Sequence, residues 1–182
     1  MQVTPTALPG VLIFGPKVFA DERGFFLESF NQRAFDAAVG QPVTFVQDNH
    51  SRSQRGVLRG LHYQLPPHAQ GKLVRVVRGS AFDVAVDIRK GSATFGRWFG
   101  ATLDASSHRQ MWIPPGFAHG FLALEDDTDF LYKTTDHYAK DCERAILWND
   151  PAIGIDWPAV GSAPLLAAKD NVAPRLAQAQ TF

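Results

Sequence analysis

The chain has 182 residues, 45% hydrophobic and 20% charged, a mix typical of one soluble globular domain over residues 1–182 with a substantial core. Its 18 Lys and Arg equal its 18 Asp and Glu, which argues against a nucleic-acid binder because such proteins carry a net basic face. No apolar run approaches the roughly 20 residues that span a bilayer, and the single cysteine, Cys142, excludes an internal disulfide. We therefore expect a cytoplasmic protein that binds neither membrane nor nucleic acid.

The first fifty residues predict short strands around one helix. Apolar residues at 11–14 and 25–30 predict two strands, with a turn between them at 21–24. Asn31 is a suitable N-cap for a short helix that ends at Val39 and is closed by Gly40. The stretch 45–50 begins apolar and becomes polar, as a strand does where it meets a functional surface.

The middle of the chain predicts a β-hairpin. Strands at 73–77 and 82–89 flank a tight turn at Gly79-Ser80. In the second strand, apolar residues beginning with Phe82 alternate with a series that begins with Asp83. This alternation predicts one buried side and one side facing solvent.

The remaining chain predicts more strands and a tail. Turn signals recur about every ten residues, a spacing typical of a β-sandwich or barrel. The tail over 151–182 predicts two short helices. The predicted strands lie near 95–103, on both sides of a Pro-Pro-Gly turn within 109–120, and at 119–124 and 130–135; the helices lie near 164–169 and 174–179.

Positive charge is concentrated in the middle of this neutral chain. Between Arg52 and Arg97, nine Lys and Arg (52, 55, 59, 72, 75, 78, 89, 90 and 97) stand against two Asp (83 and 87). Such an excess suits a small anionic ligand. Alternatively, the arginines only cover the solvent-facing sides of strands.

His62 and His119 each lie near the start of a predicted strand, where polar residues of a small barrel line a ligand pocket. Cupin-type barrels bind a metal through a His-X-His pair, a downstream Glu and a later His. Here Gln64 replaces the second imidazole, and Lys72 lies where the carboxylate is expected. Because a cation there disfavours a divalent ion, we predict a cupin-like barrel that has lost its metal site.

The remaining groups fit proton transfer. His62 supplies a base, Lys72 a cation, and Tyr132 and Tyr138 supply phenols. Removing a proton next to a ketone needs a base and stabilisation of the enolate oxygen, and returning it to the opposite face needs an acid. The set fits epimerisation, although spacing alone does not select this reaction.

Nine motifs follow one another along the chain: Asp48-Asn49-His50-Ser51, Arg59–Gln64, Gln70–Val76, Asp83–Arg89, Pro115–Phe121, Tyr132-Lys133, Glu143-Arg144, Trp148–Pro151 and Lys169-Asp170. With them, from about Phe19 to Pro174, the chain resembles the dTDP-4-dehydrorhamnose 3,5-epimerase family. The resemblance implies a mainly β, cupin-like jelly roll with a few short helices and no cofactor. It also implies a homodimer in which N-terminal strands, at about 1–50, are exchanged between subunits.

The resemblance implies an isomerase that converts dTDP-4-dehydro-6-deoxy-D-glucose into dTDP-4-dehydro-L-rhamnose, a step of dTDP-L-rhamnose synthesis. Relatives with the same base and tyrosine epimerise only C3 or only C5, or isomerise the ketone, so these alternatives stay open. Two alternatives come from other classes: a metal-dependent cupin oxygenase and a non-catalytic module that binds sugar nucleotides.

The resemblance also implies a role for each site residue. His62 removes the protons from C3 and C5, Asp170 orients its ring, and Lys72 stabilises the enolate oxygen. Tyr132 returns the proton from the other face, and Tyr138 stacks on the thymine ring. The implied substrate contacts are Arg23 and Glu28, both from the partner subunit, together with Gln47, Asp48, Asn49, Arg59, His119, Glu143 and Lys169.

Some of these assignments have structural alternatives. Tyr132 could serve only as a core residue, and Glu28 and Glu143 as structural carboxylates. Arg59 and His62 have opposite strand parity, which a bulge at the intervening Gly60 would reconcile. The family often has Pro at position 93 and Ser at position 167, where this chain has Ala; the second change would loosen hydrogen bonding near the predicted acid.

Overall fold

The structure, a computed structural model, describes residues 1–182 and consists mainly of antiparallel β-strands. The two α-helices are α1 (Gln32–Val39) and α2 (Ala168–Asn171), and 3-10 turns lie at Lys140–Cys142 and Leu176–Gln178. In chain order, the strands are β1 (Gln2–Pro5), β2 (Leu12–Gly15), β3 (Val18–Asp21), β4 (Gly24–Leu27), β5 (Gln47–Ser53), β6 (Leu58–Gln64), β7 (Lys72–Arg78), β8 (Ser80–Asp87), β9 (Trp98–Asp104), β10 (Gln110–Ile113), β11 (Phe117–Ala123), β12 (Thr128–Thr134) and β13 (Glu143–Ala145).

The strands form two sheets that lie face to face, as in a jelly roll. The six-stranded sheet has the order β1-β2-β10-β7-β12-β5, and the five-stranded sheet has the order β13-β6-β11-β8-β9. The strands β3 and β4 pair only with each other. The mainly β architecture agrees with the prediction from sequence.

The predicted hairpin in the middle of the chain is wrong. β7 pairs with β10 and β12 in one sheet, whereas β8 pairs with β9 and β11 in the other. Gly79 has a left-handed φ of +73°, and a Cβ there would lie 2.6 Å from the Thr128 hydroxyl oxygen, so the chain turns sharply from one sheet to the other. A Gly-Ser turn indicates a reversal, but it does not determine whether the two strands share a sheet.

Both sides of β8 are buried, so its predicted solvent-facing side is also wrong. Val84 packs with Leu176 beneath the C-terminal segment, on the outer face of the five-stranded sheet. Ala85 belongs to the cluster between the sheets, and Asp83 is 0% exposed. The polar series of the alternation therefore faces the interior of the sandwich, as polar residues do in barrels that enclose a ligand.

The helix predicted from Asn31 to Gly40 is confirmed. The Asn31 side chain accepts a hydrogen bond from the Ala34 amide, and Gly40 closes the helix in the left-handed conformation. Phe35 of α1 packs on Phe14 and Trp112, with ring centroids 5.3 and 5.2 Å apart. The helix thereby covers the outer face of the six-stranded sheet.

The tail carries short helical turns, as predicted, but at shifted positions. α2 begins four residues after the predicted start at 164, and only a 3-10 turn forms within 174–179. Neither helix of the chain combines the length and the apolar character needed to cross a membrane.

The hairpin of β3 and β4 carries large apolar side chains on its surface. Phe19, Phe25 and Phe26 are 53%, 62% and 71% exposed. The strands β1 and β2, by contrast, pair within the chain and join the six-stranded sheet through β10. The sequence predicts that strands within 1–50 are exchanged between subunits. In this range, β3 and β4 (18–27) are the strands that pair with nothing outside their own hairpin.

Candidate active site

A cavity of about 580 Å³ opens between the two sheets. It is lined by β5, β7 and β12 of the six-stranded sheet, by β6, β11 and β13 of the five-stranded sheet, and by the segment at 165–170. A concave site of this size, walled by apolar residues with a few converging polar groups, is typical of a small-molecule site. All four residues that the sequence predicts to be catalytic line it: His62, Lys72, Tyr132 and Asp170.

A bulge at Gly60 places Arg59 and His62 on the same cavity wall. His62 pairs with His119 and Arg59 with Phe121, so the pairs are three residues apart on β6 and two residues apart on β11. Gly60 has a φ of +137°, and a Cβ there would lie 2.5 Å from the Gly120 Cα. Only glycine fits this position, and the predicted bulge is confirmed.

His62 is held by a carboxylate from the C-terminal segment. Its Nε2 donates a hydrogen bond to Asp170 Oδ1 at 2.6 Å, which leaves the Nδ1 lone pair as the basic site of the neutral ring. Burial raises the pKa of Asp170, but its hydrogen bond and attraction to His62 outweigh burial and hold that pKa below its usual value. The pair is thus an ionised carboxylate that orients an imidazole.

Lys72 is a buried cation beside this pair. Its Nζ donates to the backbone carbonyl of His62 at 3.3 Å. Burial lowers the pKa of Lys72 to about 8, although the negative charges of Asp83 and Glu143 oppose this effect. At neutral pH the side chain is therefore still mainly an ammonium ion, with its charge in a low-dielectric wall.

His119 lies opposite His62 and has its own carboxylate. Its Nε2 donates to Asp83 Oδ1 at 2.7 Å, and both side chains are buried. Burial lowers the pKa of His119, while Asp83 opposes the shift. The ring is accordingly neutral at physiological pH and contributes a fixed dipole to the cavity.

Tyr132 lines the cavity and also packs on the core between the sheets, so the two alternatives of the sequence analysis are compatible. Its ring lies 6.3 Å from that of Phe130. Burial raises the pKa of Tyr132 above its ordinary value, so the phenol keeps its proton at neutral pH. A protonated phenol in the wall can act as an acid.

The mouth of the cavity is built from linked polar side chains. Lys169 Nζ donates to Glu143 at 2.8 Å, and the Tyr138 hydroxyl donates to the other oxygen of Glu143 at 3.2 Å. Gln47 donates to Asn49 at 2.9 Å. All five residues line the cavity, so the structure brings them together as the sequence predicts, with an aromatic ring and charges at the entrance.

The position of a second metal ligand in a cupin is occupied by a structural amide. Gln64 Nε2 donates to the carbonyls of His68 and His137 at 2.6 and 3.1 Å, and its oxygen accepts from the Ala139 amide at 2.8 Å. No group of three or more His, Cys, Asp or Glu in the chain is arranged to hold a metal ion.

Three predicted substrate contacts lie outside the cavity of this chain. Strand alternation turns Asp48 to the opposite side of β5, where it pairs with Lys133 at 2.9 Å, so its contact with substrate stays a prediction. Arg23 pairs with Asp21 at the tip of the exposed hairpin. Glu28 accepts a hydrogen bond from Asn31 at 3.1 Å, next to α1.

Two polar residues of the interior were not predicted as site residues. Asp83 was assigned to a solvent-facing side, and Ser51 lines the cavity with a hydroxyl that has no protein hydrogen-bond partner. The sequence does contain a signal that this side of the strand is buried, because the series at 81, 83, 85 and 87 contains two alanines. Alanines are more often buried than polar residues are. Ser51 belongs to the motif Asp48-Asn49-His50-Ser51, but its place in the cavity wall is visible only in the structure.

Fold and cavity together define the class of protein, a cupin-like sugar-nucleotide epimerase. The chain belongs to the dTDP-4-dehydrorhamnose 3,5-epimerase family, whose model matches residues 5–178. The mainly β, cupin-like fold and the enzyme class predicted from sequence, an isomerase, are thereby confirmed.

Individual relatives agree with this membership. A dTDP-4-dehydrorhamnose 3,5-epimerase from Pseudomonas aeruginosa is 60% identical, with 100% of this chain and 99% of the relative covered. A dTDP-6-deoxy-D-glucose-3,5-epimerase from Legionella pneumophila, solved with dTDP-4-keto-L-rhamnose, has a TM-score of 0.94 and 50% identity over 97% of this chain and 93% of that one. A 3'-monoepimerase from Streptomyces bikiniensis, solved with dTDP-quinovose, has a TM-score of 0.89 and 38% identity over 95% and 87%.

Proposed function

We propose that the chain epimerises C3 and C5 of dTDP-4-dehydro-6-deoxy-D-glucose and releases dTDP-4-dehydro-L-rhamnose for dTDP-L-rhamnose synthesis. The observation that carries the proposal is the His62–Asp170 pair at the cavity wall, next to the Lys72 ammonium and the Tyr132 phenol. Full-length identity of 60% to a protein named for this reaction supports the choice of substrate.

The proposed reaction begins with a proton on carbon. C3 and C5 of the substrate both lie next to the C4 ketone, so loss of either proton gives an enolate. His62 takes the proton through Nδ1, and the electron pair of the C–H bond moves to the C4 oxygen. Asp170 stabilises the resulting imidazolium, whose Nε2–H it already accepts.

Lys72 is proposed to stabilise the enolate oxygen. An ammonium ion in a buried wall interacts strongly with developing negative charge because little water screens it. The lysine carries this charge before the reaction, since its pKa of about 8 lies above neutrality. No reorganisation is therefore needed when the enolate forms.

Tyr132 is proposed to return a proton to the face opposite His62. Its hydroxyl proton goes to the carbon, the C–O double bond of the ketone re-forms, and the tyrosinate regains a proton from solvent while the imidazolium releases one. Burial, which raises the pKa of Tyr132, keeps this acid protonated until it is used. Inversion at the second carbon repeats the same steps.

The mouth of the cavity is proposed to hold the dTDP moiety. The Tyr138 ring is exposed at the entrance and offers a face for thymine. Arg59, whose Nε is held by the Ser53 hydroxyl at 3.2 Å, points a guanidinium at the same opening and suits a diphosphate. Gln47, Asn49 and His119 supply hydrogen-bonding groups along the wall.

We also propose that the chain works as a homodimer in the cytoplasm without a cofactor. The exposed phenylalanines of the β3–β4 hairpin support an association in which this hairpin is covered by a second copy. Arg23 and Glu28, which lie outside the cavity of their own chain, would then be able to reach the partner's cavity. The single free cysteine fits a reducing compartment.

The test is incubation of dTDP-4-dehydro-6-deoxy-D-glucose with the pure protein in D₂O, followed by NMR of the sugar. Deuterium at both C3 and C5, with inversion at both, is the expected result. No incorporation at either carbon would reduce the chain to a binding module and overturn the proposed enzyme activity.

A second candidate is epimerisation at one carbon only. It is favoured by one observation: a 3'-monoepimerase shares the fold at a TM-score of 0.89. The same D₂O experiment separates the two candidates, because a monoepimerase inverts only one of the two centres.

A further inference from the structure

Asp83 is a buried charged residue that the proposed chemistry does not use. It lies in β8, the strand between β11 and β9, and is 0% exposed. One oxygen accepts the hydrogen bond from His119 at 2.7 Å, and the other has no protein hydrogen-bond partner. A carboxylate buried in this way is costly unless an opposite charge compensates it.

The compensating charge is Lys72. Lys72 shares the cavity wall with ionisable side chains from four other strands, His62 from β6, His119 from β11, Tyr132 from β12 and Glu143 from β13, and with Asp170 of α2. Asp83 of β8 lies behind this wall and acts on the Lys72 ammonium through its charge. The tyrosine is protonated, and the His119 ring is neutral because of burial. Asp170 is ionised but is bonded to His62, so the negative charges that act on the Lys72 ammonium are those of Asp83 and Glu143.

Of these two, Asp83 has no other cation. Glu143 already pairs with Lys169 at 2.8 Å, which compensates its charge at the mouth of the cavity. The hydrogen-bond partner of Asp83 is a neutral imidazole. Attraction to Asp83 is also the larger of the two opposing effects on the Lys72 pKa.

We propose that Asp83 is a positioning residue for the epimerase reaction: one oxygen fixes the His119 ring beside His62, and the buried carboxylate is the counter-charge of Lys72. The inference rests on the proposed function, since the ammonium matters because an enolate forms beside it. Asp83 acts through its neighbours and lies behind the cavity wall, so it does not touch the substrate.

The first test is the pH dependence of epimerisation in Asp83→Asn. The amide oxygen still accepts from His119, but the charge is lost, and the Lys72 pKa falls from about 8 by about one unit or more. The ammonium exists below this pKa, so the alkaline limb of the rate profile moves to lower pH. The ratio of wild-type to variant rates at pH 8 is expected to exceed the ratio at pH 6 by at least about fivefold.

The matched control is Asp87→Asn. Asp87 is another fully buried carboxylate of β8, but its partners are Arg89, Ser92 and Thr94, outside the cavity. Its loss is expected to lower stability and to leave the pH profile of the folded fraction unchanged. Superimposable profiles for Asp83→Asn and wild type would mean that Asp83 is only structural.

A second test needs no enzyme activity, so it separates failure of this inference from failure of the proposed function. The Lys72 Cε resonance is followed by ¹³C NMR against pH. The midpoint is expected near 8 in the wild type and in His119→Gln, which keeps the carboxylate, and at least about one unit lower in Asp83→Asn. Should Asp83→Asn not fold, a midpoint below 7 in the wild type, or a fall of a unit or more in His119→Gln, overturns the inference.

Discussion

Two histidine–aspartate pairs lie side by side on one wall of the cavity, and their differences show what makes one of them a base. His62 and His119 are directly paired on β6 and β11, and each bonds an aspartate through Nε2, at 2.6 and 2.7 Å. The His62 side chain is 24% exposed, whereas that of His119 is 8% exposed. The same histidine–aspartate hydrogen bond therefore occurs at an accessible surface for His62 and at a buried position in the cavity wall for His119.

The origins of the two aspartates differ as well. Asp170 comes from α2, in a segment laid over the cavity after the last strand, whereas Asp83 belongs to an inner strand of the sheet. A base must exchange its proton with solvent after each step, which requires access, whereas a group that only shapes the field does not. Accessibility, and not the His–Asp pair itself, therefore separates the two roles.

Replacing each histidine in turn should give the largest difference in activity between the two pairs. We expect His62→Ala to lower deuterium exchange at both C3 and C5 by about 10³-fold, within the range for loss of a general base. His119→Gln keeps a hydrogen-bonding side chain and is expected to retain measurable exchange. Substrate deuterium is read by NMR and folding by circular dichroism; near-normal exchange in His62→Ala would assign the base to another residue.

The proposed proton donor, Tyr132, belongs to neither pair, and Tyr132→Phe tests its contribution separately. We expect inversion to fall by about 10²-fold while exchange at carbon continues, because the base and the cation are intact. The ratio of exchanged to inverted sugar, measured in D₂O, should rise well above the wild-type value. An equal fall of both quantities would show that the phenol is needed before proton removal.

Asp170→Asn tests the accessible pair with a smaller change. An amide in place of the carboxylate no longer stabilises the imidazolium, and we expect a loss of about 10- to 100-fold in kcat, as for other supporting partners of a functional histidine. Asp150→Asn is the control, because Asp150 is also buried in the C-terminal region but bonds the backbone amides of Ala152 and Leu176. The control should lower the melting temperature without lowering kcat of the folded enzyme.

The smallest expected effect is the alkaline limb of the wild-type profile. Lys72, which donates to the His62 carbonyl, has a pKa of about 8, and its ammonium is present below this value and lost above it. The rate should therefore fall to about half at pH 8 and to about a tenth at pH 9, and then by about tenfold for each further pH unit. Lys72→Arg, which keeps its proton, should have a lower rate but no such limb below pH 10.

Local chemistry predicted some of the structure closely. The cap at Asn31, the left-handed closure at Gly40 and the bulge at Gly60 depend on a few neighbouring residues, and each is where the sequence indicates. The pairing of His62 with Asp170 was reachable only by resemblance, because 108 residues separate them. Periodicity contains no information on such a contact.

The errors share a cause. The false hairpin at Gly79 and the false solvent side of β8 both required knowledge of which sheet each strand joins. Turn residues and alternation describe a strand by itself, whereas sheet membership is decided by packing over the whole chain. The position of Asp48 outside this cavity likewise depends on which side of β5 faces the cavity.

The two-sided burial of β8 has a consequence for how sequences of this fold can vary. One side of the strand, with Val84 and Val86, contributes only to packing under the C-terminal segment, and the other side, with Asp83 and Ala85, lies inside the sandwich behind the cavity wall. Neighbouring residues of β8 therefore have to satisfy different structural requirements. A library restricted to odd-numbered positions of this strand would search for altered activity through the groups behind the cavity wall, and one restricted to even-numbered positions would search for thermal tolerance.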